Sequence, residues 1–202
     1  MVETANCPGL TRTKIEGKYA LRMTQNADIK FKDVFVPDRN KLAYAKDFAT
    51  GTNKILESSR LLVAWMGAGC AVGAYEAALA YTLQREQFKR PIAKFQLVQE
   101  RLSRMLANNE FSLALLVHIS QQFTQGKASI GQIARAKALV SKLGRETVSL
   151  AREVCGGNGI ILENHVMKAF LDMEAIYTYE GTYDINMLVS GRELTGGLNA
   201  IR

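Results

Sequence analysis

The chain is poor in the residues that build metal centres and disulfide frameworks. Its 202 residues include two histidines, His118 and His165, and three cysteines, Cys7, Cys70 and Cys155. No Glu-x-x-His pair occurs, which argues against a di-iron helical bundle. Two isolated histidines and scattered cysteines equally argue against zinc, so no metal is expected. An odd number of widely spaced cysteines fits a reducing compartment better than a disulfide framework. Proline is also scarce: Pro8, Pro37 and Pro91 are the only three, so residues 92–202 are free to form long helices. The N-terminus lacks the basic-then-apolar layout of a secretory signal. The net charge of +7 is spread without a polybasic run, its basic residues interleaved with acids, so no nucleic-acid partner is expected. A solvated basic surface and a small anionic ligand both remain compatible with that charge. The apolar uncharged stretch "LLVAWMGAGCAVGAY" (61–75) is short for a membrane span. Its "GCAVG" (69–73) has the small-residue spacing of close helix packing, so a buried helix is expected and no membrane span.

What is present is a globular composition, with 48% hydrophobic and 22% charged residues. Residues 9–36 have a β character. "YALRMT" and "IKFKDVFV" around the turn-forming "QNAD" imply a β-hairpin or two strands of a sheet. Such a piece is barely stable alone, so the chain is expected to begin inside a β-domain. From about residue 52 the period becomes helical. A first helix from near Asn53 to near Gln87 is apolar nearly all round and is expected to be central. In a second, Val98, Leu102, Met105, Leu113, Leu116 and Phe123 follow helical spacing. A third, after the turn "QGKASIG" (125–131), carries Ile133, Ala136, Val140, Leu143, Thr147, Ala151 and Val154 on one stripe. "GGNGI" (156–160) ends it, with Gly156 a candidate left-handed cap. A short helix near 165–172 and a last one from about Thr182 to Leu194 follow. The fold class expected is mainly α: residues 1–50 the remnant of a β-domain with its linker, and 51–202 a helical bundle of four-helix type.

Three stretches could carry chemistry. "REQFKRPIAKFQ" (85–96) sets Arg85, Lys89, Arg90 and Lys94 among Phe88 and Phe95. The cations could simply complement a helix C-terminus, or fork onto phosphates while phenylalanine stacks on a ring. "CGGNG" (155–159) could be a plain helix stop or a place where backbone amides approach a ligand. In "IYTYEGTYDINML" (176–188), Glu180 lies just before a helix whose N-cap is Thr182, with Asp184 in the first turn. Tyr177, Tyr179 and Tyr183 would shield it from water. Burial raises a carboxylate's pKa and helix-terminal amides lower it, so Glu180 could be a loop acid or a base for a weakly acidic carbon-bound proton.

Taken in this order and spacing, "REQFKRPIAKFQ", "CGGNGI" and "TYEGTYDI" resemble the acyl-CoA dehydrogenase/oxidase superfamily, over nearly the whole chain. "AIYTYEGTYDIN" and "FQLVQERL" resemble most the short-chain acyl-CoA oxidases of plant peroxisomes, and next the glutaryl-CoA dehydrogenases. The resemblance implies a chain matching the last strands of a middle β-domain and a complete C-terminal bundle. It implies FAD as cofactor and the oxidation of short-chain acyl-CoA thioesters to trans-2-enoyl-CoA, in fatty-acid β-oxidation. Glu180 matches the catalytic base, its own amide binding the thioester carbonyl, with Gly181 against the substrate. Glu57 and Arg60, in "ESSR", match the acyl-CoA pocket. Arg85, Gln87, Phe88, Phe95 and Gln96 match residues that hold FAD across a dimer interface. Glu153, Gly156 and Gly157 match a second cross-subunit FAD loop, and Thr182 and Asp184 match flavin-nucleotide contacts. A homo-dimer or homo-tetramer formed through the bundle is implied. The electron acceptor is either oxygen or an electron-transfer flavoprotein.

The chain departs from the family at Lys89, where glycine is usual, and at Glu153, where glutamine is usual. If position 89 needs a positive φ, lysine there costs about 1 kcal/mol or more. Glu153 would bring a negative charge near phosphates. A competing expectation is a non-catalytic bundle serving as an interface or scaffold module, because much of the family's pocket wall comes from domains not seen in this chain. The resemblance places the protein in peroxisomes, with the mitochondrial matrix as alternative. The chain ends "LNAIR", which is not the peroxisomal import tripeptide.

Overall fold

The structure, a computed structural model, describes residues 1–47 and 50–197, leaving aside the side chain of Lys54. The C-terminal "LNAIR" lies outside the described residues. Two compact units divide at residue 55, Met1–Ile55 and Leu56–Arg202.

In the first unit an antiparallel hairpin pairs β1 (Leu10–Lys14) with β2 (Ala27–Phe31), in a register running from Leu10 opposite Phe31 to Lys14 opposite Ala27. The hairpin was expected, but not its first strand. "YALRMT" falls in the connection, and "LTRTK" takes its place. The Lys18 ammonium donates to the carbonyl of Leu21 at 3.1 Å and to Asn26 Oδ1 at 2.6 Å. Leu21 has a φ of 46°. A left-handed residue tied back by a lysine cannot continue a strand.

The second unit is helical. α1 (Thr52–Gln84), α2 (Gln96–Thr124) and α3 (Ile130–Val154) are long, and α4 (His165–Thr178) and α5 (Tyr183–Leu194) are shorter. Two buried clusters fix how the long helices run. Near one end Leu61, Ala64 and Ala68 of α1 meet Leu116 and Ile119 of α2 and Ile133, Ala136 and Val140 of α3. Near the other, Ala71, Ala74 and Ala78 meet Leu102 and Met105, then Val148, Leu150 and Ala151, with Val166, Met173 and Ile176 of α4. So α2 is antiparallel to both α1 and α3, and the fold is a mainly α bundle.

Three helix expectations are corrected. α3, not α1, is the central helix: buried positions occupy most of its circumference, whereas Leu62, Met66 and Leu83 of α1 are exposed. By length and composition alone α1 could cross a membrane, but its Leu61, Val63, Ala64, Ala68 and Ala71 face is core. On α2, Leu113 and Phe123 lie outside the core, and the buried stripe runs Leu102, Met105, Asn109, Ser112, Leu116, Ile119. α4 extends to Thr178, six residues beyond the expected end.

Helix ends follow local chemistry. Ser129 and Gln132 form a reciprocal capping box at the start of α3. Gly156, at φ 56°, follows the C-cap Cys155 and ends α3 as expected. Gly159 has a different reason, since a Cβ there would sit 2.5 Å from the carbonyl oxygen of Arg152. α1 ends at Gln84 rather than Gln87 because a small hairpin follows, β3 (Glu86–Gln87) against β4 (Arg90–Pro91). Its two turn residues, Phe88 and Lys89, have φ of 52° and 63°. Both central residues are left-handed, as a tight two-residue hairpin turn requires. Position 89 thus does need a positive φ, and lysine occupies it.

Candidate active site

Glu180 lies in the connection between α4 and α5. Tyr179 caps the end of α4 and Thr182 caps the start of α5. Between them Glu180 and Gly181 have φ of 56° and 84°. Two left-handed residues in succession turn the chain sharply. Glycine adopts this freely, whereas for glutamate it costs about 1–2 kcal/mol.

Such strain persists only where the surroundings over-determine it, and here two side chains do so. From α5, Asn186 Nδ2 lies 3.3, 2.7 and 3.2 Å from the carbonyl oxygens of Glu180, Gly181 and Thr182. From α3, the Lys137 ammonium donates to Gly181 O at 2.8 Å and to Tyr177 O, in the last turn of α4, at 3.2 Å. A Cβ on Gly181 would come within 3.0 Å of Asn186 Nδ2.

The carboxylate of Glu180 is half-buried. Ser59 Oγ, on α1, donates to its Oε2 at 2.7 Å. Among the described residues nothing donates to Oε1, and the Glu180 backbone N–H has no partner. Two buried cations act on this carboxylate. Arg60 is 5% exposed, with no partner for its Nε among the described residues. Burial lowers its pKa and Glu180 opposes that. Lys137 is fully buried. Burial pushes its pKa down to about 8 from 10.5, Glu180 opposing the fall and Arg60 adding to it. The Tyr179 phenol is raised, first by burial and then by the Glu180 charge. Tyr177 and Tyr183 instead stack on one another at 6.0 Å. Arg145 lies 4.4 Å over the Tyr177 ring and Lys142 5.6 Å over the Tyr183 ring. Glu57 is half-buried, one turn before Arg60.

The second group of expected residues lies at the other end of the bundle. Arg85, Gln87 and Phe88 are exposed on the β3–β4 hairpin. Phe88 meets Phe95 edge-on at 6.1 Å, and the Arg90 guanidinium lies 4.2 Å over the Phe95 ring. Gln96 begins α2. The glycine loop joins this end: Asn158 Nδ2 donates to Tyr81 Oη at 2.8 Å. Glu153 is paired with Arg101 of α2 at 3.1 Å, which offsets the charge it brings. Ser59 and Tyr81 stand on the same helix, α1, about 33 Å apart at about 1.5 Å per residue. One copy of the chain therefore brings Glu180, Gly181, Ser59 and Arg60 together, with Thr182 and Asp184 beside them at the start of α5. It holds the 85–96 hairpin and the 153–157 loop far away.

Ser59, Lys137 and Asn186 were not expected from the sequence. Lys137 had a visible signal. It stands four residues after Ile133 and three before Val140, both on the apolar stripe of α3, where an unpaired lysine would be out of place. Ser59 and Asn186 carried none, since their roles depend on which helices meet.

Residues 49–195 match the family described as acyl-CoA dehydrogenase, C-terminal domain. A short-chain-specific acyl-CoA dehydrogenase of Megasphaera elsdenii is 29% identical over 187 residues, covering 93% of this chain and 49% of that protein. The caffeyl-CoA reductase–Etf complex subunit CarC of Acetobacterium woodii is 30% identical over 184 residues, covering 91% and 48%. The crystal structure of glutaryl-CoA dehydrogenase from Mycobacterium smegmatis superposes with a TM-score of 0.93 at 32% identity, covering 98% of this chain and 50% of that one. A structure of a glutaryl-CoA dehydrogenase from the same organism in complex with FADH2 gives 0.92 at 27% identity, with the same coverage. The chain spans about half the length of the curated relatives it matches. By its matched residues and its fold, this chain belongs to the acyl-CoA dehydrogenase family, within that family's C-terminal helical domain.

Proposed function

We propose that the protein catalyses FAD-dependent α,β-dehydrogenation of short-chain acyl-CoA thioesters, with Glu180 as the base. The observation that carries this is the state of Glu180. It is half-buried, held at Oε2 by Ser59 and placed on a left-handed turn, with neither Oε1 nor its own N–H partnered among the described residues. Oε1 can then take the α-proton of a thioester. The Glu180 amide is a ready donor to the thioester carbonyl, where negative charge develops as that proton leaves. Arg60 and Lys137 are buried cations whose charges interact with this carboxylate.

The residues present fit FAD. Thr182 Oγ1 accepts from the Ile185 amide at 3.3 Å, and its proton remains available to donate. An added Cβ at Gly156 or Gly157 would meet open space, so backbone is presented to whatever lies outside. Arg85 and the Gln87 amide offer donors beside the exposed Phe88 ring. Thr182 and Asp184 would then hold a flavin nucleotide near Glu180, while Arg85, Gln87, Phe88, Phe95, Gln96 and the 153–157 loop would hold the pyrophosphate and adenosine. The bound flavin supplies the hydride acceptor for the β-hydrogen. Because the two groups of residues are about 33 Å apart along α1, each flavin is held by two copies, Glu180 from one and the hairpin from another. This favours a homo-dimer or a higher homo-oligomer. An electron-transfer flavoprotein is the proposed acceptor, supported by the relative named as part of an Etf complex. Oxygen is the alternative.

The test is anaerobic mixing of the purified full-length protein with butyryl-CoA. The flavin absorbance is expected to bleach in the parent and to persist in Glu180→Gln with its flavin content intact. Normal bleaching in Glu180→Gln would overturn the base assignment. Peroxide release in air would replace the flavoprotein acceptor by oxygen.

A further inference from the structure

We propose that Lys137 is a positioning residue for Glu180: from the interior of the bundle it sets the left-handed turn that aims the carboxylate and the amide of that residue. The proposal rests on reading Glu180 as the base. It deepens that reading by assigning a role to a lysine that lies behind the site.

Three observations converge on Lys137. It is fully buried two turns into α3, the most enclosed helix, where a cation is costly unless something specific holds it. Its ammonium bridges two places that must keep a fixed relation. One is Tyr177 O, an end carbonyl of α4, where the helix dipole favours a cation. The other is Gly181 O, immediately after the base. The backbone it grips is strained at Glu180, which lies in the left-handed region although it is not glycine. Asn186 grips the same turn from α5, through the carbonyls of Glu180, Gly181 and Thr182. Carbonyls 177, 180, 181 and 182 all accept from these two side chains, and among the described residues the Glu180 N–H has no partner. Packing alone would call for leucine or methionine at position 137. The ammonium adds two directed bonds and a positive charge that interacts with Glu180.

Lys137→Met keeps a similar unbranched shape and removes both the bonds and the charge. Lys137→Gln removes the charge but keeps an N–H donor, on a chain one atom shorter, and it serves if the first variant fails to fold. In the full-length protein, hydrogen–deuterium exchange of the peptide covering residues 175–187 is the first readout, because the Tyr179, Ile185 and Asn186 amides that flank the turn are hydrogen-bonded. Exchange there is expected to quicken about 10-fold or more in Lys137→Met, while peptides of α2 (102–119) stay as in the parent. The second readout is turnover of butyryl-CoA. kcat is expected to fall about 10- to 100-fold with KM little changed, the pattern for a group that aims a base without binding substrate. Unchanged exchange at 175–187 in a folded variant overturns the proposal. Faster exchange with undiminished kcat also overturns it, because the turn would then not govern the base. If the parent itself does not oxidise butyryl-CoA, the enzymatic reading fails, and the exchange experiment alone decides whether Lys137 sets the turn.

Discussion

Burying the Lys137 ammonium should leave a mark on how stability depends on pH. In the folded chain Lys137 keeps its proton only up to about pH 8, against 10.5 for an ordinary lysine. Below pH 8 the folded and unfolded chains are both protonated, and the folded state carries the full cost of the buried cation. Between about pH 8 and 10.5 the unfolded chain binds more protons than the folded one, so this residue makes stability rise with pH. The lowered pKa corresponds to about 3 kcal/mol, of which the range up to pH 10 covers between about 2 and 3 kcal/mol. Lys137→Met removes the titration and also leaves Tyr177 O without its donor, at a pH-independent cost. The informative quantity is therefore the difference between parent and variant, in which other ionisations cancel. The chain has a single tryptophan, Trp65, whose indole donates to Ser120 Oγ at 3.0 Å between α1 and α2, so its fluorescence reports on the bundle. Urea unfolding is measured from pH 7 to pH 10. The parent's stability relative to Lys137→Met should rise by between about 2 and 3 kcal/mol across that range. A flat difference would refute the reasoning, because it would mean that Lys137 titrates alike in the folded and unfolded chains.

Two further outcomes are expected from the backbone. Lys89→Gly relieves a left-handed lysine in the β3–β4 turn and should change stability by between 0 and about +1 kcal/mol, the relief being partly offset by the greater freedom of unfolded glycine. A clear loss in thermal unfolding would contradict the strain argument. Gly159→Ala places a Cβ 2.5 Å from Arg152 O and should destabilise by about 1–3 kcal/mol. A parent-like Tm would show that the loop relaxes at no cost.

Much of the bundle was legible because its signals are local. The Thr182 cap, the stop at Gly156 and the break around Pro91 each act within a few residues, so α2, α3 and α5 were placed to within a residue or two. The failures are non-local. "YALRMT" has the composition of a strand, but the contacts of Lys18 with Leu21 and Asn26 fold it into a loop. α1 has the more apolar sequence, yet α3 is central because its Gly131, Ala134, Ala138, Ser141 and Gly144 let neighbours close in on several sides. At the site, Glu180 could be named from its motif, whereas Ser59 and Asn186 act across helix contacts that no spacing announces. The turn conformation at Phe88 and Lys89 was half-legible: the sequence raised the question of a positive φ, and only the backbone answered it.

The length of α1 also has a genetic consequence. If the base at one end of a bundle works with the hairpin at the far end of another, then two defects in different chains need not add. A Glu180→Gln chain still offers an intact Arg85, and an Arg85→Ala chain still offers an intact Glu180. Paired in one dimer, they assemble one defective site and one complete site. An equal mixture of two nearly inactive variants, refolded together, would then recover roughly a quarter of the parental activity, given random pairing and two-fold symmetry. Neither variant could do this alone. The protein would behave in a cross as if it had two complementing functional regions within one polypeptide.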